Sequence, residues 1–310
     1  MAVTGTVRSL VALAACLVLA ACLGQGAVQP PPGPAPVVPV EPTAKSIAAA
    51  TYYAQVQQLL LSQGMLRTDG GEGIPVSARA LTENFMRVAL YDEYRRGSGG
   101  FVREETESRL RRWEVPIRVG IRFGPSVSPE RQATDRARIG SFVARLAGIS
   151  GHPMAVDERN PNFFVYIVSE DEREALGPVI NATLPGLSPV DVAGITQMPR
   201  STYCLVYAMA EGNSGAYTRA FAVIRAEHPD LLRLSCLHEE MAQGLGLPND
   251  SPRARPSIFN DDEEFALLTG HDELLLQMLY DPRLRTGMTA AEAAPVVREI
   301  AAEVMAGRGS

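Results

Sequence analysis

Apolar positions recur at helical spacing in some stretches of the chain and at strand spacing in others. Ile47, Tyr53, Val56 and Leu60 follow Ser46 three or four apart, and this predicts a helix capped by Ser46 and stopped at Gly64. Residues 77–96 read as a second helix and 104–112 as a shorter third. Ile117, Val119, Ile121 and Phe123 alternate with Arg118, Gly120 and Arg122, as on a half-buried strand. Ser128-Pro129 then opens a helix with Ile139, Phe142, Val143 and Leu146 on one face and Gly148 as its end. A continuous apolar strand at 163–168 precedes Ser169 and Glu172, which are spaced as a capping box. Strands at 203–208 and 216–224, joined around Gly212-Asn213-Ser214-Gly215, predict a hairpin. Helices are expected at 230–246, 262–268, 271–280 and 289–306. Strands mixed with helices, then helices alone, predict an α+β fold.

The N-terminus does not belong to this core. One charge, Arg8, precedes an apolar run over 10–21, which is too short to span a bilayer and has the form of an export signal. Leu19-Ala20-Ala21-Cys22 resembles the bacterial lipoprotein processing box. That resemblance implies cleavage before Cys22 and its lipidation. Leu23, where an aspartate would retain the protein at the inner membrane, implies the periplasmic face of the outer membrane. Leu13-Ala14-Ala15-Cys16 fits the same box but would leave a very short apolar region. The competing reading is a plainly cleaved signal with an incidental cysteine. Seven of the 23 prolines lie in 29–43, which favours an extended, semi-rigid spacer. The expected organisation is signal 1–21, lipidated cysteine and tether 22–43, and a globular domain 44–310. Its 44–114 part would be helical and 115–310 would hold the main core.

A net charge of −6 and the absence of any basic stripe disfavour nucleic-acid binding. Cys204 and Cys236 remain once Cys16 and Cys22 are assigned to the signal. In an oxidising envelope such a pair is most often a disulfide, the alternative being a free nucleophilic thiol at Cys236.

The candidate chemistry sits on the helix near residue 240. On a wheel at 100° per residue, Leu234, Leu237, Met241 and Leu245 form the core stripe. Glu239, Gln243 and Gly246 lie nearly opposite, flanked by Cys236 and Glu240, while His238 stands at the edge of the stripe. The frame Glu239-Glu240-x-x-Gln243-x-x-Gly246-x-x-Asn249-Asp250 resembles the zinc-binding helix of metzincin peptidases. Glu240 occupies the general-base position, and the glycine and final aspartate agree. The three ligand positions hold Glu239, Gln243 and Asn249 in place of histidines. Ser257-Ile258-Phe259-Asn260 resembles the turn beneath the metzincin metal, with Phe259 where methionine is usual. The following helix, with a capping box at Thr269 and Asp272, resembles their last helix. Residues 236–285 also resemble a family of uncharacterised proteobacterial envelope proteins whose domain has no assigned function.

The resemblance implies a metzincin-like zincin domain with an N-terminal helical segment. Three oxygen donors, two of them neutral amides, would hold zinc weakly and suit calcium better. Without a Lewis-acidic metal Glu240 has no activated water to deprotonate. No cofactor is therefore expected, zinc and calcium being the ions the positions could take. The expected function is a lipid-anchored, non-catalytic binding module for an envelope peptide or protein partner. The alternative is a metal-dependent hydrolase of envelope peptides with Glu240 as base. Asp261-Asp262-Glu263-Glu264 reads as an acidic helix start rather than a calcium loop. His152, His228, His238 and His271 never fall at ligand spacing and read as ordinary surface or core residues.

Overall fold

A computed structural model describes residues 41–97, 100–212, 214–260 and 262–307, with the backbone alone between 93 and 105. The export signal, Cys16, Cys22 and nearly all of the proline-rich tether lie outside the described residues.

The chain begins with α1 (Ala44–Ser62) and α2 (Ala78–Leu90), followed by β1 (Tyr91–Gly97) and β2 (Gly100–Glu107), a two-stranded antiparallel hairpin. Then come β3 (Arg112–Trp113), β4 (Ile117–Phe123), α3 (Pro129–Ser150), β5 (Met154–Val156) and β6 (Phe163–Val168). Three short helices follow, α4 (Glu170–Glu174), α5 (Gly177–Thr183) and α6 (Pro189–Thr196). The remainder is β7 (Cys204–Ala210), β8 (Ala216–Arg225), α7 (Asp230–Gln243), α8 (Gly270–Leu279) and α9 (Ala290–Gly307). The fold is mixed α+β.

Its main sheet runs β3-β8-β6-β4-β5, all parallel, and β7 adds antiparallel to the free side of β8. Strand alternation divides the side chains between two layers. Phe163, Val165 and Ile167 of β6, with Ala220, Ala222 and Ile224 of β8, enter the large core against α2, α3, α7, α8 and α9. Phe164, Tyr166, Phe221 and Val223 point the other way and are covered by Ile180 and Ile195 from α5 and α6. β7 obeys the same rule. Val206 and Ala208 face the large core, and Leu205, Tyr207 and Met209 face the smaller one.

Several boundaries depart from the sequence pattern. Thr43 rather than Ser46 caps α1, its hydroxyl accepting from the Ser46 N–H; Ser46 lies inside the helix and donates to Glu227 at 2.7 Å. α2 stops at Leu90, and 91–107, expected to be largely helical, is the β1–β2 hairpin. Tyr91 and Tyr94 are three apart, as on a helix face, but Gly97 pairs with Gly100 across the two strands. α3 runs past Gly148 to Ser150 and closes on Gly151 in the left-handed conformation. No helix forms over 262–268; Phe265 instead bridges to Arg67, and Glu263 has a φ of 59°. Asp262 and Glu264 are thus not an acidic helix start and ion-pair with Arg255 and Arg67. Asp261 is outside the described residues.

Candidate functional site

α7 is fastened at every turn. Asp230 receives both terminal nitrogens of Arg138 at 2.6 and 2.7 Å, and the buried Arg233 pairs with the buried Asp135 of α3 at 2.8 Å. Gln57 of α1 accepts the Leu232 N–H at 3.0 Å. Cys236 is disulfide-bonded to Cys204, the first residue of β7, with Cα atoms 5.8 Å apart. His238 stacks on Phe142 with centroids 3.9 Å apart, and its Nδ1 accepts the Leu268 N–H at 3.1 Å. Burial, reinforced by Arg145, lowers the His238 pKa to about 3, so the ring is neutral at ordinary pH.

The carboxylate side of α7 is largely buried. Glu240 is 4% exposed and Gln243 9%, while Glu239 is half-buried. Glu239 and Glu240 each bring an oxygen, and Cys204 its sulfur, to within 4.8 Å of one another. Gln243 and Asn249 are directed elsewhere. Gln243 Nε2 donates to Asp250 at 2.8 Å, and Asn249 Nδ2 donates to the Arg87 carbonyl at 2.9 Å. The Asn249 N–H also reaches the Val88 carbonyl, so this residue ties the turn after α7 to the end of α2.

That turn needs its glycine. Gly246 has a φ of 129°, and a Cβ there would lie 2.2 Å from the Arg111 carbonyl oxygen. The neighbouring Gly244 carbonyl accepts from Trp113 Nε1 at 2.8 Å, and Leu245 accepts from the Tyr280 hydroxyl at 3.0 Å. Further on, Asp272 gathers the Ser257–Asn260 turn and the start of α8. It accepts from Ser257 Oγ at 2.5 Å, Ile258 N at 3.0 Å, Thr269 N at 2.9 Å and Thr269 Oγ1 at 2.8 Å. Complete burial outweighs these bonds and raises the Asp272 pKa to about 6. Phe259 is fully buried in the same turn.

His271 is also buried, its Nε2 3.0 Å from Asn84 Nδ2, and burial lowers its pKa to about 4. His228, between β8 and α7, packs edge-on against Tyr53 with its Nδ1 3.7 Å from Cys236 Sγ. Burial first, then Arg225, Arg233 and Arg131, hold its pKa well below the ordinary value.

A cavity of about 820 Å³ opens beside the other end of β7, lined by Tyr207, Met209 and Ala210 with Arg109, Arg111 and Tyr217. Arg111 is paired there with Asp92. Sequence reasoning placed neither these arginines nor the Tyr207–Ala210 part of β7 in a site. The usable signal was the strand alternation of 204–210, which sets Tyr207 and Met209 on one face of an edge strand.

The profile of the family described as "Protein of unknown function (DUF2927)" matches residues 78–299. The chain belongs to this family. The DUF2927 span opens on the first residue of α2 and closes within α9, so it contains the whole main sheet, α7 and the cavity. α1 precedes it. No curated protein and no solved structure matches the chain.

Proposed function

We propose that this DUF2927 protein is a lipid-anchored envelope protein whose domain is a metzincin-like scaffold that binds rather than cleaves. The scaffold reading is supported by the order of elements: a largely parallel sheet, an antiparallel edge strand, and α7 with its glycine turn. A buried turn tied to a last helix completes the likeness. Anchoring is supported by the processing box at Cys22 and the proline-rich spacer behind it. No helix among the described residues is long and apolar enough to cross a membrane.

One observation carries the non-catalytic reading. Gln243 and Asn249, at two of the three metal-ligand positions, have their amide nitrogens bound to Asp250 and Arg87. Both serve the fold of the turn. The remaining donors, Glu239 and Glu240, stand beside a disulfide sulfur, which carries no thiolate charge. Such a set does not fit a zinc-peptidase centre, which needs three nitrogen or carboxylate ligands around an open position. The partner we assign is an extended envelope peptide lying along β7, in the cavity of Tyr207, Met209 and Arg109.

The test is peptide binding to the purified protein, using cell-wall stem peptides and unrelated extended peptides as probes. Tyr207→Ala and Arg109→Glu are expected to weaken the best binder by about tenfold or more, and Glu240→Gln to leave it unchanged. Hydrolysis of a peptide that Glu240→Gln abolishes would establish the hydrolase instead.

A further inference from the structure

The cavity reading leaves His228, the disulfide and the two glutamates without a role. His228 is 1% exposed, its Nε2 has no hydrogen-bond partner among the described residues, and its Nδ1 is directed at Cys236 Sγ from 3.7 Å. On the other side of the bridge lie the Glu239 and Glu240 oxygens around Cys204 Sγ. Cys236, Glu239 and Glu240 stand at i, i+3 and i+4 on α7, the spacing that directs side chains to one side of a helix. Two sulfurs and two carboxylates are thus assembled at one place, with an imidazole behind one sulfur.

While bridged, the sulfurs cannot act as anionic ligands. A dithiol donor would change this by thiol–disulfide exchange. Its two thiols form a new disulfide, and the Cys204–Cys236 bond takes up two electrons and two protons to give two thiols. We propose that the reduced pair, with Glu239 and Glu240, forms a zinc site, so that the disulfide acts as a redox gate on metal binding. Both thiols lose their protons as zinc binds. A tetrahedral zinc with Zn–S bonds near 2.3 Å holds its sulfurs about 3.8 Å apart. Side chains on Cα atoms 5.8 Å apart reach that separation by rotation about χ1. His228 would donate from Nδ1 to the Cys236 thiolate and fix its direction, as partners of metal ligands commonly do. Glu239, half-buried, lies where the ion would enter. This inference is independent of the peptide cavity, which lies at the far end of β7.

Zinc titration of the purified full chain, bridged and then reduced by a phosphine removed before the titration, tests it. The bridged chain is expected to bind no zinc and the reduced chain one ion, with cobalt giving thiolate-to-metal charge-transfer absorption. Glu239→Gln, with the bridged fold checked by circular dichroism, should loosen zinc in the reduced state about tenfold or more. His228→Gln should loosen it and move the pH midpoint of zinc uptake upward. A reduced chain that takes up no zinc overturns the proposal. So does an affinity insensitive to Glu239→Gln, the behaviour of two thiols on an unfolded chain.

Discussion

Gly246 and Asn249 illustrate how residues of a peptidase-like frame can serve folding. A Cβ at position 246 would meet the Arg111 carbonyl at 2.2 Å and require a φ that L-residues avoid. Gly246→Ala is therefore expected to destabilise by on the order of 3 kcal/mol, read as a lower denaturant midpoint at unchanged m-value. Asn249→Ala removes the donor to the Arg87 carbonyl. We expect a loss of about 1–3 kcal/mol, since a buried acceptor is left unmet. A ligand role alone would leave stability untouched. Gln243 and Asn249 were visible in the sequence as ligand replacements, but their partners, Asp250 and the end of α2, were not. A helical wheel assigns a direction to a side chain and says nothing of what the rest of the chain brings against it. For the same reason the wheel set Gln243 opposite the core stripe, although it is buried.

At the scale of elements, the joint between α7 and β7 organises the site. The disulfide closes a loop across a sequence separation of 32 residues. In the chain-entropy account this is worth on the order of 3–4 kcal/mol. Cys204→Ser with Cys236→Ser should therefore lower the midpoint of thermal unfolding without abolishing the fold, because Arg233–Asp135 and the Arg138–Asp230 pair still hold α7 to α3. Near-UV circular dichroism that collapses in the double variant would show that α7 depends on the bridge alone. This pairing was legible because two cysteines were left once the signal was set aside. The β1–β2 hairpin was not, since Tyr91 and Tyr94 satisfy helical spacing, and the turn signal was confined to the run Gly97-Ser98-Gly99-Gly100. The run 262–268 failed similarly. Phe265 and Leu268 are three apart, but the backbone of this segment is held by bonds to Leu66 and Arg67. α5 and α6 were overlooked because each is eight residues or fewer, although Ser188 and Asp191 form a capping box.

For the molecule as a whole, buried titratable groups set the pH range. His238 and His271, with pKa values lowered to about 3 and about 4, must stay neutral in the fold and gain protons freely when unfolded. Their contribution is complete above about pH 6.5 and is lost as pH falls, at up to about 1.4 kcal/mol per pH unit each. Asp272 acts in the opposite sense. Raised to about 6, it favours the fold below its unfolded value near 4, and this contribution disappears as pH rises through 6. Between about pH 4 and 6 three buried histidines, His228 acting in the same direction as His238 and His271, oppose one aspartate, so net stability should fall on acidification. His271→Gln should flatten that fall in urea titrations at a series of pH values, and an unchanged slope would show that His271 is not the titrating group. The α+β class and the positions of the longer strands along the chain were legible in the apolar pattern, but their order in the sheet was not. Nor was the two-layer division of the sheet, because it depends on which strands become neighbours.

The claim that most needs testing is that the bridged protein holds a peptidase-like scaffold without a peptidase's metal. Zinc content of the chain purified with its disulfide intact, measured together with its free-thiol count, addresses it most directly. The expected result is far less than one zinc per chain, unaltered by Glu239→Gln or Gln243→Ala. One zinc per bridged chain, lost in either variant, would contradict it.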